Sequence, residues 1–286
     1  MSTVKELLSK GIMLLEQNNI EDSIIKAKRL IQYVLKKTAN QIIFDLDSCI
    51  KKDNETQYLE YINQIINGKP LQYITHEQEF MGFKFYVDEN VLIPQPDTET
   101  LVERAIEIVK DAQPDTENIN VLDMCTGSGA IAVSLAKYLP QTEITAIDIS
   151  NEALKIAKKN AISNNVENQI TFISSDMFTN LNEEKFDIIV SNPPYIKTNV
   201  IEELDMQVKN EPYIALDGGK DGLEFYKKII NESYQYLKFN GYLCLEIGFD
   251  QKIDVIELIE NTERFIGTYS KKDLFDNDRI VVTRLK

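Results

Sequence analysis

Apolar and polar positions divide the chain into a stretch of period 3.6, a short stretch of period 2, and a long alternation of the two. Val4, Leu7, Leu8, Ile12, Leu14 and Leu15 fall on one broad face, and Ile24, Ala27, Leu30, Ile31, Val34 and Leu35 repeat it after Glu21 and Asp22. Gln41 to Leu46 and Thr56 to Ile66 read as two more helices, the last stopped by Gly68 and Pro70. A small helical bundle over residues 1–75 is expected. Between Gln78 and Pro96 the period changes. Phe80, Met81, Phe83, Phe85, Val87 and Val91 occupy short β-like runs broken by Gly82 and Asp88-Glu89-Asn90, which predicts a β-hairpin linker over 76–96.

From Asp97 onward the two periods alternate to the end of the chain. Helices are expected over 97–112, 129–138, 151–164, 220–237 and 251–260, and strands over 119–124, 143–149, 169–175, 186–191, 241–247, 264–269 and 278–284. Apolar strands alternating with helices imply an α/β domain over 97–286 built on a mostly parallel, doubly wound sheet.

Charge narrows the partners. The formal net charge is −15, of which residues 1–75 contribute +1 and the remainder −16. An enzyme that tracks a nucleic-acid duplex is expected to show the reverse balance, so direct binding to nucleic acid is disfavoured. No run reaches the length of a membrane span. Lys5, Glu6, Lys10, Gly11 and Glu16 interrupt the start before it could serve as a signal peptide. Cys49, Cys125 and Cys244 lie far apart without CxxC spacing, which points away from disulfides or zinc and toward a reducing cytoplasm. His76 is the lone histidine and is expected to be solvated, so histidine-based triads are not expected and neither is a metal.

Candidate chemistry gathers at predicted strand ends. Asn118 to Ala132 reads as a strand running into a glycine-rich turn that opens a helix; Gly127 and Gly129 allow a sharp bend and close backbone approach to a ligand. Gly127-x-Gly129-x-x-Ala132 also satisfies the dinucleotide pattern of a nicotinamide dehydrogenase, so the turn alone does not choose a cofactor. Asp148 ends the next strand, where its carboxylate can accept two hydrogen bonds from a ribose diol; an N-cap role falls better to Ser150. Asp176 can accept from an adenine amino group with Met177 packed on the ring, and a plain turn aspartate remains the rival reading.

The segment Phe186 to Tyr195 separates the alternatives, because a buried strand delivers Asn192-Pro193-Pro194-Tyr195 to the same sheet edge. Two prolines cannot continue a ladder. Asn192 offers a side-chain carbonyl, Pro193 a backbone carbonyl and Tyr195 an aromatic face, and two acceptors beside a flat surface form a receptor for a planar –NH₂ group. Such a group can belong to an amide or to a base, so a nucleic-acid adenine or guanine methyltransferase stays open here, as does a non-catalytic binding module.

Four segments in order, Leu92-Ile-Pro-Gln-Pro-Asp-Thr-Glu99, Asp123-x-Cys-Thr-Gly-Ser-Gly129, Asn192 to Tyr195, and Glu211-Pro-Tyr-Ile-Ala-Leu-Asp-Gly-Gly219, give the chain its resemblance to the HemK/PrmC family. These are N5-glutamine methyltransferases of peptide chain release factors. The resemblance implies a seven-stranded, Rossmann-like, S-adenosylmethionine-dependent methyltransferase domain behind a helical substrate-recognition domain, with S-adenosylhomocysteine as product. It implies Cys125, Thr126, Gly127, Ser128, Gly129, Asp148, Met177 and Asn192 around the methyl donor, beside the Asp176 already read for the adenine. Asn192, Pro193, Pro194 and Tyr195 would hold the glutamine of a Gly-Gly-Gln tripeptide. Three positions depart from the family pattern: Gln95 for arginine, Cys125 for glycine, and His76 for glycine.

Overall fold

The computed structural model describes residues 2–112, 118–182 and 184–286. By their internal contacts these form two units, Met1–His76 with Asp205–Asn210, and Glu77–Leu204 with Glu211–Lys286. The period-3.6 stretch becomes helices Val4–Gln17, Ser23–Leu35, Ala39–Phe44 and Lys52–Ile66, followed by a short helix Leu71–Thr75. Capping boxes open two of them: Thr3 with Glu6, and Thr38 with Gln41. Leu7, Leu15, Leu30, Ile31, Tyr58 and Ile62 fill the core. Gly11 is required at the helix crossing, since a Cβ there would sit 2.1 Å from the Tyr58 hydroxyl. Ile24, expected on the buried face, is instead exposed, because the N-terminal turn of its helix buries Ser23 and Ala27. His76 is half-buried at the end of the last helix, not fully solvated.

The segment Asp205–Asn210, placed by sequence pattern in the α/β part, groups with the helical unit. Met206 packs against Gly68, Asn210 Nδ2 donates to the Gly68 carbonyl at 2.9 Å, and Lys26 reaches Gln207. No hydrophobic period could have announced this, since the helix involved is the single turn Met206–Lys209.

The larger unit opens with an antiparallel hairpin, β1 (Gln78–Phe80) and β2 (Phe83–Phe85), whose Phe80 and Phe85 pack edge to face. Its main sheet contains β3 (Ile119–Met124), β4 (Thr142–Asp148), β5 (Ile170–Ser174), β6 (Phe186–Ser191), β7 (Leu237–Glu246), β8 (Phe265–Lys272) and β9 (Asp278–Leu285) in the order β5-β4-β3-β6-β7-β9-β8. The first five strands run parallel; β9 is antiparallel between β7 and β8. Successive residues explain the near-continuous apolar runs. Val121 and Val190 join one core cluster while Leu122, Ile189 and Leu243 join the other, as in a sheet covered on both faces. The strand order turns back between β3 and β6, which opens a crevice at their C-terminal ends. Among the described residues no helix is long and apolar enough to cross a membrane.

Candidate active site

The glycine turn is built from beneath by a buried acid. β3 ends at Met124, after which Cys125, Gly127 and Gly129 take φ of 61°, 54° and 80°. Asp123, fully buried, accepts from the Thr126 hydroxyl at 2.5 Å and the Ala132 N–H at 3.1 Å, which ties the turn to the start of helix Ala130–Tyr138. Gly127 has open space where a Cβ would stand, whereas a Cβ on Gly129 would lie 3.0 Å from that of Ala157. The two glycines therefore differ in purpose: the first leaves room for a ligand, and the second lets two helices approach.

At the tip of β4, Asp148 Oδ2 accepts from the Gly127 N–H at 2.9 Å and Oδ1 from the Ser150 N–H at 2.8 Å. Burial pushes its carboxyl up, opposed by these same donors. Ser150, not Asp148, caps helix Asn151–Ser163 by accepting from Ala153 N–H. Asp148 consequently keeps lone pairs free at the cleft. Met177 is buried and follows exposed Asp176 in a turn held by the Ser175 hydroxyl, which donates to the Met177 carbonyl at 2.7 Å.

A cleft of about 250 Å³ joins these groups. Cys125, Gly127, Asp148, Asp176, Met177, Asn192 and Pro194 all line it, with Leu92, Ile149 and Phe225. Thr126, Ser128, Gly129, Pro193 and Tyr195 are not among its lining residues. The residues present fit an adenosyl group: an acidic strand tip with free acceptors, an apolar wall from Ile149 and Met177, and a glycine turn with space above it.

Three distant segments converge on the proline loop. Glu211 Oε2 accepts from the Ile93 N–H at 2.8 Å, which links the 211–219 stretch to the 92–99 stretch. Gly218 N–H donates to the Ile196 carbonyl, and a Cβ on Gly218 would lie 2.7 Å from the Tyr195 Cα, so only glycine permits that approach. Gln251 Nε2 donates to the Tyr195 carbonyl at 3.0 Å. The Tyr195 hydroxyl donates to Glu246 Oε1 at 3.3 Å, and burial raises the phenol. Asn192 Nδ2 donates to Thr98 Oγ1 at 3.1 Å.

Sequence reasoning did not single out Thr98, Glu211 or Glu246, nor Asp123 for its own role. For Asp123 and Glu246 the available signal was an acid in an apolar run, as at residues 121–124 and 242–247. Two of the three departures share an explanation: Cys125 and His76 both take positive φ, a conformation that favours glycine. The third, Gln95, is exposed and donates to the carbonyl of Ile93 in its own turn.

Burial pushes Asp123, Glu211 and Glu246 each up to about 7. A carboxyl raised on folding contributes stability that is complete below its unfolded value, near 4, and is lost as pH rises through about 7. Tm is accordingly expected to fall between about pH 4 and 7, and Glu211→Gln should flatten that slope. An identical slope in the variant, followed by calorimetry across pH, would remove Glu211 from the account.

The strand order, the glycine turn beneath the crevice and the acidic tip of β4 define a methyltransferase of the Rossmann-like class. The methyltransferase small domain model matches residues 102–204, and the PrmC N-terminal domain model matches residues 6–75. The chain is 40% identical to the release factor glutamine methyltransferase of Clostridium acetobutylicum, over 98% of this chain and 97% of that one. It is 43% identical to the protein of that name from Streptococcus pneumoniae, over 84% of each. The chain belongs to the release factor glutamine methyltransferase family. Among solved structures, the hMettl16 catalytic domain aligns at TM-score 0.58 and 18% identity, over 77% of this chain and 83% of that one. A methyltransferase from Pyrococcus furiosus aligns at 0.51 and 19%, over 80% and 98%. These two likenesses concern the fold.

Proposed function

We propose that this chain transfers a methyl group from S-adenosylmethionine to the side-chain amide nitrogen of the glutamine in the Gly-Gly-Gln tripeptide of peptide chain release factors. The observation that carries this reading is the placement of Asn192 in one cleft with Asp148, Met177 and the glycine turn. Asp148 would hold the ribose, Asp176 and Met177 the adenine, and the backbone around Gly127 the remainder. Bound there, S-adenosylmethionine supplies an electrophilic methyl on a sulfonium, whose departure needs no acid.

The remaining work is alignment, because an amide nitrogen is a weak nucleophile whose lone pair is delocalised. Asn192 Oδ1 and the Pro193 carbonyl accept its two N–H groups, aim it, and favour pyramidalisation as the new bond forms. Tyr195, held by Glu246 and Gln251, stiffens the loop that carries both acceptors. The proton leaves late, to water, from a nitrogen already made acidic by methylation, so neither a histidine nor a dedicated base is needed. The helical unit at residues 1–75 recognises the protein that carries the glutamine, residues 76–96 link it to the catalytic domain, and 97–286 perform the transfer in the cytoplasm. The net charge of −15 disfavours a nucleic-acid base as acceptor.

The test is incubation of the protein with labelled S-adenosylmethionine and intact release factor, followed by mapping of the label. Label on the tripeptide glutamine supports the reading; label on nucleic acid alone rejects it. Asp148→Ala should weaken the donor site by on the order of 1–3 kcal/mol, the cost of losing a bidentate acceptor. Calorimetric titration with S-adenosylmethionine checks this, and unchanged affinity would detach Asp148 from the donor.

A further inference from the structure

The amide of Asn192 has two ends of nearly equal shape and opposite function: oxygen accepts and nitrogen donates. A receptor for an acceptor N–H works only if the oxygen faces the cleft. Among the described residues no cleft-lining group hydrogen-bonds to that amide. Behind Asn192, its Nδ2 donates to Thr98 Oγ1 at 3.1 Å, and Thr98 is buried in the first turn of helix Pro96–Ala112. A hydroxyl carries one proton and can accept as well as donate, so Thr98 accepts from Asn192 only while its own proton is directed elsewhere.

That proton has an acceptor. Thr98 stands beside the carboxylate of Glu246 and favours its ionised form, and Glu246 is 2% exposed at the end of β7. An ionised carboxylate is acceptor-only. Glu246 Oε1 already receives the Tyr195 hydroxyl, while Oε2 is buried and remains open to a donor. Charges around it are mixed. Arg279 favours the ionised form and Asp97 opposes it, and those two residues pair with one another at 3.0 Å. Tyr226 completes the surroundings, donating to the Glu246 backbone carbonyl at 2.9 Å.

We infer that Thr98, directed by the buried carboxylate of Glu246, is the positioning residue that locks the Asn192 amide with its oxygen toward the acceptor. Hydrogen bonds then run one way, from Asn192 to Thr98 to Glu246. Protonated Glu246 can itself donate to Thr98, which frees the hydroxyl to point back at Asn192 and lets the amide turn over. Burial holds Glu246 up to about 7, so the loss of order falls within reach of an ordinary pH profile. The inference rests on transfer to an amide nitrogen as proposed above.

The experiment compares wild type, Thr98→Val, Thr98→Ser and Glu246→Gln, each first shown to bind S-adenosylmethionine. Thr98→Val keeps the shape and loses the acceptor; its kcat on intact release factor should fall about thirtyfold, with donor affinity within about threefold. Thr98→Ser should recover kcat to within about threefold of wild type, which a merely structural role for the threonine methyl would not predict. Wild-type kcat should decline as pH falls through about 7, and Glu246→Gln should lack that decline. Unchanged kcat in Thr98→Val, or equal losses in the valine and serine variants, overturns the inference while leaving the proposed function intact. A wild type that binds donor yet methylates no release factor overturns both.

Discussion

Replacing Asn192 with alanine is expected to lower methyl transfer by about a thousandfold or more while leaving affinity for S-adenosylmethionine within about tenfold. Asn192 lines the cleft, and its Nδ2 donates to Thr98 Oγ1 at 3.1 Å. On the proposed reading its oxygen is left for the acceptor amide, where it counts most as the nitrogen pyramidalises. On the same reading the donor is held elsewhere on the wall, by Asp148 and Met177, which line the same cleft. Single-turnover rates with saturating release factor, beside donor titration of the same preparation, separate the two quantities. Equal losses of binding and turnover would assign Asn192 to the donor and not to the acceptor.

The second large effect concerns the helical unit, which has a packed core of its own and none of the cleft residues. A fragment beginning near residue 75 should keep the sheet, the glycine turn and the Asn192 receptor, and so should bind donor. Its kcat/KM on intact release factor should drop by about a hundredfold or more, because contacts remote from the reacting atoms are what order a flexible tripeptide. By the same reasoning a short free peptide containing Gly-Gly-Gln should be a poor substrate for the full chain and the fragment alike. Asp205–Asn210 would lose Gly68 as a packing partner in the fragment, so folding is checked by donor-induced thermal shift before rates are compared. If the fragment modifies intact release factor as fast as the full chain, the bundle serves stability or assembly.

Long apolar runs made the sheet legible. Ile119–Met124 and Phe186–Ser191 are strands buried on both faces, and their Val/Ile/Leu content announces that directly. β7 was less legible, starting at Leu237 and not at 241, because Phe239-Asn240-Gly241 reads as a turn. Asn240 does take a positive φ, and the pairing with β6 shifts register between Phe186 and Ile188. One-turn helices such as Thr198–Ile201 and Tyr213–Leu216 were invisible, since four residues carry no measurable period. At the site, the candidates Asp148 and Asn192, which the structure brings to one cleft, were readable because their chemistry is unusual for a strand end. The roles of Thr98, Glu211 and Glu246 were not readable: the first two stood unremarked inside the family segments and the third as a lone acid in an apolar run, while their partners lie far away in the chain and long-range pairing leaves no mark on local pattern.

The grouping of Asp205–Asn210 with the N-terminal helices also sets a schedule during synthesis. Those helices emerge first and can collapse on Leu30, Tyr58 and Ile62, yet Gly68 must wait for Met206 and Asn210, more than a hundred residues downstream. At about 5–20 residues per second that delay amounts to roughly 7–27 seconds, far longer than helix formation or collapse. β3, β4, β5 and β6 are all translated within the interval. The first unit to begin folding is thus completed only after most of the parallel strands are available, and a ribosome paused before residue 205 would hold a nascent chain with an apolar seam at Gly68 still uncovered.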